Sequence, residues 1–167
     1  MKDEIINQLF ETAVSYGLCE DFKEKFKSDS SIKNLSDLYK RGFDFVLEHD
    51  YPSLPFMEEH LKGKFRDYEI YISEKFEEKN PKEVILNGSS NGFVECNGHY
   101  SVVRVRHTSK VDIKCVNYAK MMVLLYDDGE VNIVEKSDNA KISVIQRGGK
   151  VNTNGYETKI ITPKKID

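Results

Sequence analysis

The chain has 167 residues, 39% of them hydrophobic, with 9 Tyr, 9 Phe, 25 basic and 28 acidic side chains. That aromatic content excludes a disordered chain, and no run approaches the roughly 18 apolar residues of a transmembrane helix. The net charge of −3 is uneven: residues 1–80 carry 12 basic and 18 acidic side chains, giving −6, and residues 81–167 carry 13 and 10, giving +3.

Met1 to Asn7 is too acidic and polar for a signal peptide, so an intracellular, cytoplasmic protein is expected. Ile5, Ile6, Leu9, Phe10, Ala13 and Val14 recur at helical spacing, and Gly17 offers a stop. Asp21 to Lys27 forms a second short helix with Phe22 and Phe26 on one face. After a polar break at 28–31, Ser36 is expected to cap a helix carrying Leu38, Tyr39, Gly42, Phe45 and Val46. It must end before Tyr51-Pro52. Pro55 suits the first turn of a helix over Phe56 to Leu61, stopped by Gly63. Tyr68 to Ile72 then alternates as the first strand.

Beyond this point strands dominate. Val84 to Leu86, Phe93-Val94 and Ser101 to Arg106 read as strands, with Asn87-Gly88, Asn91-Gly92 and Asn97-Gly98 as the turns between them. From His107 a unit repeats: turn residue, any residue, small residue, charged residue, apolar, polar, apolar. Its small residues are Ser109, Ala119, Gly129, Ala140 and Gly149, at spacings of 10, 10, 11 and 9. Each unit supplies one strand with two inward side chains and one tight corner. A single unit cannot bury its apolar pair, so the units must stack into a shared core. Val111, Ile113, Met121, Val123, Val131, Ile133, Ile142, Val144 and Val151 supply it, and Cys115 is expected to join them. Thr158 to Ile161 is a last strand, and Pro163 ends the pairing.

This pattern resembles a short β-solenoid built from strand-and-corner repeats, across roughly residues 84–161. The chain also looks like proteins of bacteria and their phages or mobile elements that pair a small helical head with such strands. That likeness implies no catalytic residues. The expected fold class is therefore α+β: a helical head over 1–80 and a two-sided solenoid over 81–167. The rival is an antiparallel meander or sandwich, because ten residues also fit a strand and a hairpin turn. Asp128-Gly129 alone within the array has the favoured hairpin form, which favours the solenoid.

Charge fixes the number of strands per coil. With two, Lys110, Glu130 and Lys150 form one column of alternating sign, and Lys120 and Lys141 form another. With three, Lys110 would stack on Lys141 and Lys120 on Lys150, which is unfavourable at ~4.8 Å. A two-sided coil of about 20 residues follows. The open ends of such a stack need cover, and the helical half is expected to cap one of them.

Chemistry is sparse. The three cysteines lack metal or disulfide spacing and read as reduced, mostly buried thiols. Glu59 and His60 are adjacent, so they point about 100° apart on a helix and fail the spacing of metal ligands. No nucleophile elbow, P-loop or dinucleotide fingerprint occurs, and no cofactor is expected. Arg104 and Arg106 are two apart on a strand, and with His99 they form the one candidate site, for a phosphate or carboxylate. The expected function is a non-enzymatic protein-binding or assembly module, engaging a protein partner or itself, with phage or mobile-element origin in view. A small carbohydrate-active or phosphate-binding enzyme domain is the alternative. Nucleic acid ranks last as a partner, since +3 over 87 residues is a weak basic footprint, and no membrane partner is expected.

Overall fold

In the computed structural model, which describes residues 3–163, five helices precede eleven strands, and every strand pairing is parallel. The chain divides into two compact units between Tyr68 and Glu69. None of the described helices is long and apolar enough to cross a membrane.

In the first unit, α1 spans Asp3–Ser15, α2 Glu20–Ser28, α3 Ile32–Arg41, α4 Phe43–His49 and α5 Leu54–His60. Gly17 ends the first helical stretch at φ +86°, a conformation that costs glycine little. The cap of α3 is Ser31 rather than Ser36: its hydroxyl accepts the Asn34 N–H at 3.2 Å. Ser36 instead lies buried within the helix and donates back to the Lys33 carbonyl at 2.7 Å. The single helix expected through Val46 is two, broken at Gly42. A Cβ there would sit 3.1 Å from both the Leu38 carbonyl oxygen and the Phe22 ring, so a bare backbone admits that ring. Pro55 falls in the first turn of α5, where its missing N–H costs nothing.

The second unit is a two-sided β-solenoid. One sheet holds β1 (Ile70–Ile72), β3 (Glu83–Asn87), β5 (Tyr100–Val105), β7 (Lys120–Leu125), β9 (Lys141–Gln146) and β11 (Lys159–Ile161). The other holds β2 (Lys75–Lys79), β4 (Asn91–Asn97), β6 (Lys110–Val116), β8 (Glu130–Lys136) and β10 (Lys150–Asn152). The chain alternates between sheets at every corner, so each coil uses two strands. Parallel pairing excludes the antiparallel meander.

Strand alternation sends every second side chain inward, and the register stacks like on like. Val84, Val103, Val123 and Val144 share one column, and Val94, Ile113 and Ile133 another, all fully buried. Each such side chain contributes about 1.5–3 kcal/mol of burial, as an upper bound. Branched side chains also lose little rotamer freedom on a pleated surface. The first coil uses rings instead: Tyr71 and Phe76 stack at 4.8 Å between centroids.

Corner chemistry explains the recurring Asn, Asp and Ser. Asn80 Oδ1 accepts the Asn97 N–H at 2.7 Å, Asp127 Oδ2 accepts the His107 N–H at 2.9 Å, and Ser137 Oγ accepts the Asn117 N–H at 3.0 Å. Corner side chains thus satisfy backbone donors on the neighbouring coil, where no strand ladder continues. Left-handed φ recurs at Asn80, Gly98, Asn117, Tyr118 and Asp127, again favouring Asn, Asp and Gly. Asn91-Gly92 is not a turn. It lies inside β4, where a Cβ at Gly92 would stand 2.0 Å from the Phe76 carbonyl oxygen; the glycine serves close backbone approach.

The charged columns follow the two-strand register. Lys110, Glu130 and Lys150 align across β6, β8 and β10, with Lys110 Nζ 2.8 Å from Glu130 Oε2. Lys120 aligns with Lys141 across β7 and β9.

Candidate functional site

The three residues singled out in the sequence are not brought together. Arg104 lies on the outer face of β5, and its Nε donates to Glu83 Oε1 on β3 at 2.7 Å, so it is committed to an ion pair within the sheet. Arg106 does not share that face. β5 ends at Val105, the chain turns, and Arg106 is left 3% exposed at the corner. His99 is exposed at the opposite corner, five residues before Arg104, a distance of about 16 Å along a strand.

His99 instead belongs to a second group. It directly precedes Tyr100, which pairs in register with Lys120, which pairs in turn with Lys141. All three project outward from the sheet. Tyr118 stands at the same row of corners, two residues before Lys120. Tyr100 is 54% and Tyr118 75% exposed, and Lys120 and Lys141 are exposed beside them. Neither tyrosine has a signal in the sequence: Tyr118 stands at a corner position that the repeat leaves open to any residue, and Tyr100 opens β5 directly after the Asn97-Gly98 turn.

Two features of this patch work against stability. Lys120 and Lys141 are like charges on neighbouring strands, about 4.8 Å apart at the backbone, whereas the Lys110–Glu130–Lys150 column alternates in sign. Tyr118 also adopts φ +63°, a left-handed conformation costly for a bulky residue. It is held there partly by its N–H, which donates to Asn139 Oδ1 at 3.3 Å. Strain, like charge and exposed aromatic surface converge on one row of corners, a combination that marks functional surfaces better than structural ones.

A second exposed feature is the last rung. Among the described residues, β11 pairs with β9 alone and β10 with β8 alone. Ile160 and Ile161 on β11 are exposed.

The thiols divide. Cys96 and Cys115 are buried inside the solenoid, and Cys115 joins the core as expected, while Cys19 is exposed. Among the described residues no three His, Cys, Asp or Glu side chains converge as metal ligands would. Compared with models of known families, with curated proteins and with solved structures, the chain matches none, so the expected resemblance to bacterial and phage proteins has no support from them.

Proposed function

We propose that the protein is a non-enzymatic binding module whose solenoid corner, formed by His99, Tyr100, Tyr118, Lys120 and Lys141, docks an acidic segment of a protein partner. The observation that carries this reading is the in-register Lys120–Lys141 pair flanked by two exposed tyrosines. A carboxylate laid across two adjacent ammonium groups relieves their mutual repulsion, so binding and folding strain pull in the same direction. Tyrosine supplies broad contact area at low entropic cost and is enriched at the centres of protein interfaces. Two adjacent lysines make a short cationic row, matched to a few acidic residues rather than to a nucleic-acid backbone, which calls for a longer basic stripe.

The test is fluorescence anisotropy with a labelled hexaglutamate peptide. Saturable binding that weakens with salt is expected, lost in a Lys120→Glu/Lys141→Glu double variant and at least several-fold weaker in Tyr118→Gly. Glycine accepts the left-handed φ at position 118, so that variant keeps the corner folded while removing the ring. Absence of binding by the wild type, or binding indifferent to both variants, overturns the reading. Tighter binding to single-stranded DNA of equal charge overturns it in favour of a nucleic-acid partner.

A further inference from the structure

The first unit does not close on itself. Its helices surround a cavity of about 260 Å³ that opens toward solvent. Well-packed protein interiors leave few voids larger than a water molecule, so a space of this size is a feature of the architecture rather than loose packing. Its wall is carbon: Leu9 and Ala13 from α1, Leu35 and Leu38 from α3, Val46 from α4 and Phe65, all of them buried. Tyr51 also faces the cavity and spends its hydroxyl on the Leu9 carbonyl, donating at 2.5 Å. Burial pushes its phenol above the ordinary range, as a low-dielectric surrounding requires.

Polar groups stand at the rim. Cys19, Arg41 and Asp44 line the opening and are exposed. The Arg41 guanidinium lies 5.8 Å from the centre of the Phe22 ring, a cation–π distance. Phe22 is seated against the bare backbone of Gly42, so the mouth is built from a residue pair that no larger side chain at 42 would allow without movement. An apolar interior with polar groups confined to the entrance is the usual make-up of a small-molecule site.

We propose that this cavity is a binding site for an uncharged apolar molecule of about ten heavy atoms, a bicyclic aromatic or a short alkyl chain. Size sets the class: an engineered apolar cavity of about 150 Å³ stays dry and takes up benzene, and scaling its six carbons to the larger volume gives about ten. Chemistry sets the rest. The deep wall places no charged side chain against a ligand, so an ion would lose its hydration without compensation. The site lies wholly within residues 9–65 and is independent of the solenoid corner.

The experiment is a titration of the full chain with naphthalene, followed by amide resonances in a nitrogen–proton correlation spectrum and by the thermal unfolding midpoint. Saturable shifts at Ala13, Phe22 and Leu38, with Val123 and Ile133 of the solenoid unmoved and the midpoint raised, are expected. Ala13→Leu and Leu38→Phe each place carbon in the cavity and are expected to abolish the shifts; a variant that loses its helical circular dichroism is set aside for the other. Shifts absent in the wild type, spread equally over the solenoid, or retained in a folded filled variant overturn the proposal.

Discussion

Cys96 and Cys115 stand directly opposite each other on β4 and β6, in register and both fully buried. Ser101 Oγ lies 3.2 Å from Cys96 Sγ. Cys19, by contrast, is exposed in the first unit. A native-state thiol titration with a bulky disulfide reagent is therefore expected to consume one equivalent quickly and three only after denaturation. Two or more fast equivalents in the native protein would contradict the burial.

The same pair makes a pH prediction. The hydrogen bond with Cys96, together with burial, pushes the Cys115 thiol far above its ordinary range. A thiol with a raised folded-state value stays protonated in the native chain while the unfolded chain releases its proton. Its contribution is complete below the unfolded value of about 8.5 and declines as pH rises past it. Urea unfolding is expected to show stability falling above that pH, by at most about 1.4 kcal/mol per pH unit from this group. Cys115→Val, which has no proton to release, should make the alkaline limb shallower; an unchanged limb would remove Cys115 as its cause.

Charge order along the columns is a second test. Lys110, with Lys150 on the far side, holds the Glu130 carboxyl below its usual value. Its contribution is present above the unfolded carboxylate value and is lost as pH falls through the lower folded one. Glu130→Lys sets three lysines in a row and should lower the unfolding midpoint, more at 20 mM salt than at 500 mM. Lys141→Glu converts the repelling Lys120 pair to an attracting one and should raise the midpoint by about 1–2 °C. Equal effects at both salt concentrations would show that packing, not charge, governs these positions.

Gly92 offers a steric test. A methyl group there would meet the Phe76 backbone at 2.0 Å, and main chain yields less readily than a flexible side chain. Gly92→Ala is expected to cost about 2–3 kcal/mol in denaturant unfolding. A cost below ~1 kcal/mol would mean that β2 and β4 can separate cheaply at this point.

The late coils were legible because each repeats one physical solution. Small residues at Ser109, Ala119, Gly129 and Ala140 permit the tight corner, and the apolar pairs after them fill a valine–isoleucine core. The charges at Lys110 and Glu130 then fixed two strands per coil. The first coil was harder to read, because Tyr71 and Phe76 fill its interior with stacked rings while β2 is otherwise polar. The candidate site was misread for a local reason. Two-residue spacing puts Arg104 and Arg106 on one face only while the strand continues, and it stops at Val105. The conformation of Tyr118 had no sequence signal, since its left-handed φ is imposed by the corner rather than preferred by the residue. The alignment of Tyr100 with Lys120 and Lys141 depends on register across three coils, which the spacing of 10 and 11 residues encodes only once the corners are known.

Val144 on β9 and Ile160 on β11 occupy one inward column, yet Val144 is fully buried and Ile160 is 44% exposed. Among the described residues no further strand pairs beyond β11. Residue size alone predicts that Ile160→Ala, which removes more carbon, costs more than Val144→Ala. Burial predicts the reverse. Val144→Ala deletes two methyl groups from a filled interior and should cost about 2–3 kcal/mol, transfer and cavity together. Ile160→Ala deletes carbon that is already half wet and leaves no closed cavity, so about 1 kcal/mol is expected. Urea unfolding of both variants at low protein concentration measures the order. If Ile160→Ala costs as much as Val144→Ala, something covers the last rung in solution. Sedimentation then decides what: a weight-average mass that rises with concentration in the wild type and not in Ile160→Lys identifies a second copy of the chain, pairing edge to edge through β11.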